Sequence, residues 1–227
     1  MPQPFVVAHH LLWTAYGWWL PNDPRGSGSK IIRNPSLTKL GDLHYGRKSD
    51  QPSGHEIRTF YSRAQPLLRH NLLTLHGDEV PTAACGLAQC IQQHNFTCYA
   101  CAIMPDHVHL VLRKHKHAAE EMIDNLQALS HERLIPAGYR AAEHPVWTLG
   151  GWRRFLDRPR SVRNAITYVE QNPLEIGLPK QRWPFVTKYD DWPLHPGHSP
   201  NSPYAKKVAI ARRGSVLSRK RRAPLAA

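Results

Sequence analysis

The sequence predicts an α+β fold, an antiparallel sheet with helices packed on it, and three observations carry that prediction. Two apolar runs, Phe96 to Met104 and His107 to Leu112, are separated only by the turn pair Pro105-Asp106, which makes them an antiparallel hairpin. A third run, 5–16, is rich in strand formers. The segments between and after these runs place apolar residues at helical spacing. A chain of 227 residues supports one good core with extensions. The expected division is one domain over 1–192, interrupted by an irregular loop at about 26–55, followed by a Pro-rich linker and basic tail over 193–227.

In chain order, 5–16 is read as a first, largely buried strand. Trp18 and Trp19 then lead into a Pro/Gly/Ser-rich stretch with little periodicity until about residue 56. The segment 56–79 reads as partly helical, with Pro66 starting the part that carries Leu67, Leu68, Leu72 and Leu75. Pro81 opens a helix to about Asn95, with Cys85, Leu87, Ala88 and Ile91 on its apolar side. After the hairpin, Ala118 to about Leu134 is a helix, since Met122, Leu126 and Leu129 share a face and Glu120 and Glu121 favour its N-terminal end. A short strand follows between Trp147 and Leu156, with Gly150-Gly151 as a bend or bulge. Pro159 begins a last helix, Val162, Ile166 and Val169 form its core stripe, and Pro173 is expected to end it near Asn172.

Thirty Lys and Arg against seventeen Asp and Glu give a net charge of +13, so the summed field favours a polyanion, nucleic acid first. No apolar run approaches the roughly 18 residues that span a bilayer, and the N-terminal stretch lacks a basic leader. The expected setting is therefore the cytoplasm, at the nucleoid, with no membrane partner. Cys85, Cys90, Cys98 and Cys101 read as small, reduced core residues rather than as a zinc site. Cys98 and Cys101, three apart in a strand, would face opposite ways, and Cys85 and Cys90 lie roughly 140° apart around a helix.

Chemistry concentrates in two stretches. In Met104-Pro105-Asp106-His107-Val108-His109-Leu110, strand alternation puts His107 and His109 on one face, where two imidazoles suit one divalent metal. On the last helix, Tyr168 lies about 120° off the apolar stripe, and Asn172 sits one turn on, at i+4. Trp18 and Trp19 beside Arg25 and Lys30 suit stacking on unpaired bases. From Ala205 onward the chain holds eight Lys and Arg and no acid; Arg219, Lys220, Arg221 and Arg222 near its end form an arm for phosphates.

Over roughly residues 5 to 190, three motifs in this order resemble the REP-associated tyrosine transposases of the HUH superfamily (transposases of the IS200-like type). They are His9-His10-Leu11-Leu12-Trp13-Thr14-Ala15-Tyr16-Gly17-Trp18-Trp19-Leu20-Pro21, the two-histidine stretch above, and Tyr168-Val169-Glu170-Gln171-Asn172-Pro173. The resemblance implies a ferredoxin-like central antiparallel sheet flanked by helices. It also implies a metal-dependent single-strand DNA transposase or endonuclease that acts on single-stranded or hairpin DNA, as a monomer or homodimer. His107 and His109 would hold Mg²⁺ or Mn²⁺, Tyr168 would be the nucleophile, and Asn172, or Gln171 in its place, would be a third ligand. A phenol, with a pKa of about 10, is a poor nucleophile at pH 7, and a cation at the phosphate offsets that weakness. Two rivals stand beside this reading. A histidine-triad nucleotide hydrolase would need a histidine where the chain has Val111, and no phosphate-cradling Gly-rich loop is present. A nucleic-acid-binding protein without catalysis would use the same charge and aromatics.

Overall fold

The structure, a computed structural model, describes residues 6–139, 141 and 143–192. In chain order its elements are β1 (Ala8–Thr14), β2 (Gly26–Ser27), β3 (Gly46–Arg47), α1 (Gly54–Ala64), α2 (Glu79–His94), β4 (Cys98–Ile103), β5 (His107–Arg113), α3 (Ala119–Leu134), β6 (Trp152–Leu156) and α4 (Pro159–Glu175). The long strands form one antiparallel sheet in the order β4-β5-β1-β6. With α2 joining β1 to β4 and α3 joining β5 to β6, this is the expected ferredoxin-like arrangement.

Alternation along the strands builds two cores, one on each face of the sheet. Leu11 and Trp13 of β1 with Val108, Leu110 and Leu112 of β5 face α2 and α3, meeting Ala83, Leu87, Ile123 and Leu126. The helices cross closely at Gly86, where an added Cβ would sit 2.4 Å from Ser130 Cα, so only glycine fits there. On the other face Ala8, Ala100, Ala102, Val111 and Leu156 pack against Val162, Ala165 and Val169 of α4. The small alanines let α4 lie close over β4 and β5. The predicted stripe of α4 is realised through Val162 and Val169, with Ala165 inside and Ile166 half-buried.

The stretch 26–55 is less irregular than expected. It holds the β2–β3 ribbon and a 3₁₀ turn over Pro35–Leu40 that lies beside α1, whose N-terminus is closed by the reciprocal Ser53 and Glu56 hydrogen bonds. Leu20, Leu37, Phe60, Tyr61 and Ala64 make a third, small core there. Periodicity did not show it because its apolar residues come from three distant segments.

Several expectations are corrected. The segment read as partly helical over 56–79 holds α1, but Pro66 starts only a 3₁₀ turn at Gln65–Leu67, and Leu68 to Leu75 follow without helix. Pro173 lies inside α4 and is buried; packing carries the helix to Glu175 despite the lost backbone donor. Cys85 is exposed, while Cys90, Cys98 and Cys101 are buried free thiols. A bulge between Cys98 and Ala100 shifts the register, so Cys98 and Cys101 join the same core rather than opposite faces. Burial pushes the Cys90 thiol up to about 12, and those of Cys98 and Cys101 upward too. Gly150, with φ 74°, and Gly151 bend the chain into β6 as expected, though the strand begins only at Trp152. The start of the first strand run at Phe5, the linker over 193–203 and the basic tail with Arg219, Lys220, Arg221 and Arg222 lie outside the described residues.

Candidate active site

The register of the sheet assembles the site. Thr14 of β1 opposes His107, Leu12 opposes His109 and His10 opposes Val111, so the side chains at 10, 12, 14, 107 and 109 share the face on which α4 packs. The expectation that His107 and His109 stand side by side holds: their rings are 4.7 Å apart, centroid to centroid, and perpendicular. His109 is buried at 2% exposure, and His107 is half-buried.

Each ring is oriented through Nδ1. The Asp106 carboxylate lies 2.6 Å from His107 Nδ1, and His10 Nε2 lies 3.0 Å from His109 Nδ1. Burial disfavours the Asp106 carboxylate, but the hydrogen bond and charge of His107, with Arg25, hold its pKa below the ordinary range. Burial, then the charges of His107 and His10, push His109 well below the ordinary imidazole range. Burial, then Arg154, lowers His10 to about 4. At neutral pH the His10–His109 pair therefore shares a single proton between its facing nitrogens. When His109 Nδ1 holds that proton and donates to His10, His109 Nε2 presents a bare lone pair, the form that binds metals. Two imidazoles with both Nδ1 atoms engaged leave their Nε2 atoms to fit a divalent cation. Among the described residues no cluster of three His, Cys, Asp or Glu side chains can hold one, so any third ligand is an amide, water or substrate oxygen.

Tyr168 completes the cluster. Its ring lies 5.5 Å from that of His109 and 5.8 Å from that of His10, and the side chain is 48% exposed. The helix geometry that kept it off the core stripe thus places it over the histidine strand and open to solvent. Asn172 is buried, and its Nδ2 donates to the Tyr168 carbonyl at 3.0 Å. A carbonyl only accepts, so the amide nitrogen is committed to the helix and Oδ1 keeps the ligand chemistry. Gln171 is exposed.

The loop residues expected to meet DNA also make contacts within the protein. The Arg25 guanidinium pairs with the fully buried Asp23 at 2.7 Å through Nη2 and 2.8 Å through Nε, and lies 3.9 Å over the Trp19 ring. It is therefore not a free cation for phosphate. Trp18 Nε1 donates to the Leu73 carbonyl and Trp19 Nε1 to that of Gly26, which anchors both half-buried indoles by their N–H groups. Trp19 still borders the site, with its ring 6.4 Å from that of His107. Lys30 is exposed, with its ammonium 5.4 Å from the Tyr45 ring.

Three neighbours of the site escaped the sequence reading: His10, Asp106 as a partner of His107, and Trp152, whose ring meets that of His10 at 5.8 Å. Between His9 and His10 only the register decides which one faces the site, and the sequence does not print register. His9 points to the other face, against Phe155.

No family model matches the chain, and a search of curated proteins finds no match. Among solved structures, a proposed transposase from Deinococcus radiodurans R1 aligns at 15% identity over 76% of this chain and 94% of its own, with a TM-score of 0.36. A REP-associated tyrosine transposase bound to a REP hairpin aligns at 11% identity over 93% of this chain and 85% of its own, with a TM-score of 0.40. Fold and site together define an α+β protein with a four-stranded antiparallel sheet, one of whose faces presents two histidines and a tyrosine.

Proposed function

We propose that the protein is a metal-dependent transposase or endonuclease for single-stranded DNA that works through a covalent tyrosine intermediate. The observation that carries this reading is the placement of the half-exposed Tyr168 ring over His109, beside a pair of imidazoles whose Nδ1 atoms are both engaged. A divalent ion, Mg²⁺ or Mn²⁺, held by His107 and His109 with the amide oxygen of Asn172 or Gln171, would supply positive charge against the phosphate and the departing 3′ oxygen.

The chain's own groups do the rest. Asp106 and His10 fix the orientation and tautomer of the two imidazoles. Tyr168 Oη attacks phosphorus, the bond to the 3′ oxygen breaks, the phenol proton is released and the departing oxygen takes one up. The products are a 5′-phosphotyrosine and a free 3′-OH. The phosphodiester energy is retained, so attack by a 3′-OH rejoins strands without a nucleotide triphosphate. The +13 charge favours the polyanion, and preference for hairpin-forming repeats follows from the motif resemblance.

The test is incubation with a 3′-labelled single strand carrying a hairpin, with and without Mg²⁺ or Mn²⁺, followed by denaturation. A labelled protein band that needs metal supports the reading. Tight binding without any adduct under either metal would replace it with a binding protein that lacks catalysis.

A further inference from the structure

We propose that Trp152 and Arg154 on β6 form a base-stacking and phosphate-binding platform for the DNA strand next to the scissile phosphate, an assignment that rests on the transposase reading above. Register places both side chains on the Tyr168 face: Trp152 opposes Leu12, which opposes His109, and Arg154 opposes His10. Trp152 is thus two strand spacings from His109, about 10 Å along the sheet. The α4 helix lies mainly over β4 and β5, so this end of the face is open; Trp152 is 50% exposed and Leu12 half-buried beside it.

Such an exposure is costly for a tryptophan that only fills space, and the indole is held edge-on to the His10 ring at 5.8 Å rather than folded onto the core. The charge beside it is uncompensated on one side only. Arg153, on the opposite face, pairs with Glu120 at 2.5 Å, whereas Arg154 has no carboxylate partner among the described residues. An exposed indole flanked by an unpaired guanidinium, one row from a candidate nucleophile, matches the two needs of an unpaired nucleotide: a π face for the base and a cation for the backbone. Arg25, expected to serve the backbone, is instead paired with the buried Asp23. A second copy pairing on the β6 edge is disfavoured by the adjacent arginines that edge would bring together.

The experiment uses Tyr168→Phe as the background, so that binding is read without cleavage. The affinity of a fluorescent hairpin with single-stranded flanks is compared with that of oligonucleotides carrying one abasic site at each flank position. The platform predicts that one or two abasic positions weaken binding roughly tenfold, that Trp152→Ala weakens the intact strand by a similar factor, and that the two losses do not add. Trp152→Phe should restore most of the affinity, and Arg154→Gln should lower the salt dependence of binding by about one phosphate. Additive losses at every position, or full affinity in Trp152→Ala, would overturn the platform, as would a change of oligomeric state in Trp152→Ala with affinity intact. Adduct formation by the protein with Tyr168 separates the outcomes: a normal adduct with an inert Trp152 refutes the platform alone, and absence of any adduct refutes the transposase reading.

Discussion

Replacing Arg25 should cost the protein a large share of its stability, although the side chain sits in a loop. The Asp23 carboxylate is fully buried: Oδ1 accepts from the Arg25 backbone N–H at 2.9 Å and Nε at 2.8 Å, and Oδ2 accepts from Arg25 Nη2 at 2.7 Å and from the Tyr61 hydroxyl. The Tyr61 oxygen in turn accepts from Trp19 N–H at 2.7 Å. Burial and the Asp23 charge push the Tyr61 phenol upward, so it stays a donor. Removing the cation while leaving a buried carboxylate costs about 3–5 kcal/mol. With a urea slope of about 2 kcal/mol per molar, Arg25→Met should lower the unfolding midpoint by roughly 2 M at unchanged slope. Asp23→Asn should cost less, about 1–3 kcal/mol, because the Arg25 side chain, 16% exposed, can still reach water. The double variant should be markedly more stable than the sum of the singles. The same contacts hold Trp19 in the left-handed region, at φ 59°, beside His107, so the variants should also lose metal-dependent cleavage. An Arg25→Met midpoint within 0.5 M of wild type (about 1 kcal/mol), or strict additivity, would refute the view that this ion pair holds the third core together.

Other outcomes follow from the same structure. His10→Ala should reduce metal affinity by about 10- to 100-fold while sparing DNA binding, because His109 loses the partner that fixes its tautomer; metal titration of binding-competent protein reads it. Gly86→Ala should destabilise by about 3 kcal/mol, since its Cβ would meet the Ser130 backbone at 2.4 Å; a thermal melt close to wild type would mean that α2 and α3 are farther apart. His9 is buried and its pKa is lowered to about 4, by burial first and then by Lys114. Between about 6.5 and 4 the unfolded chain binds the extra proton, so stability is full above 6.5 and falls with pH, by about 2–3 kcal/mol at pH 4.5 from this group. His9→Leu should flatten that slope, measured as urea midpoints at pH 7 and 4.5.

How much of this was legible in the sequence depended on how local its cause was. The hairpin at Pro105-Asp106, the shared face of His107 and His109, and the position of Tyr168 off the α4 stripe all follow from alternation or helical spacing within a few residues. His10 and Trp152 became visible only through the pairing of β1 with β5 and β6, where a shift of one residue would have brought His9 and Arg153 to the site instead. The fate of Arg25 was equally hidden. A guanidinium just after two tryptophans and an aspartate reads alike whether it is free for phosphate or locked in a buried pair, and Tyr61, which meets it, lies more than thirty residues away. The missing N–H of Pro173, a local fact, predicts a helix end near Asn172, while the packing that carries α4 to Glu175 is not local.

The central claim is that Tyr168 forms the covalent bond to DNA, and adduct mapping tests it most directly. Wild type and Tyr168→Phe are incubated with a 3′-labelled hairpin substrate and Mg²⁺ or Mn²⁺, denatured, digested with a protease, and the labelled peptide is identified by mass. The account predicts one labelled peptide, carrying Tyr168, and none from Tyr168→Phe, whose fold and DNA affinity stay near wild type because an exposed hydroxyl is removed without a cavity. An adduct that persists in Tyr168→Phe, or that maps to any of the other seven of the chain's eight tyrosines, would contradict it.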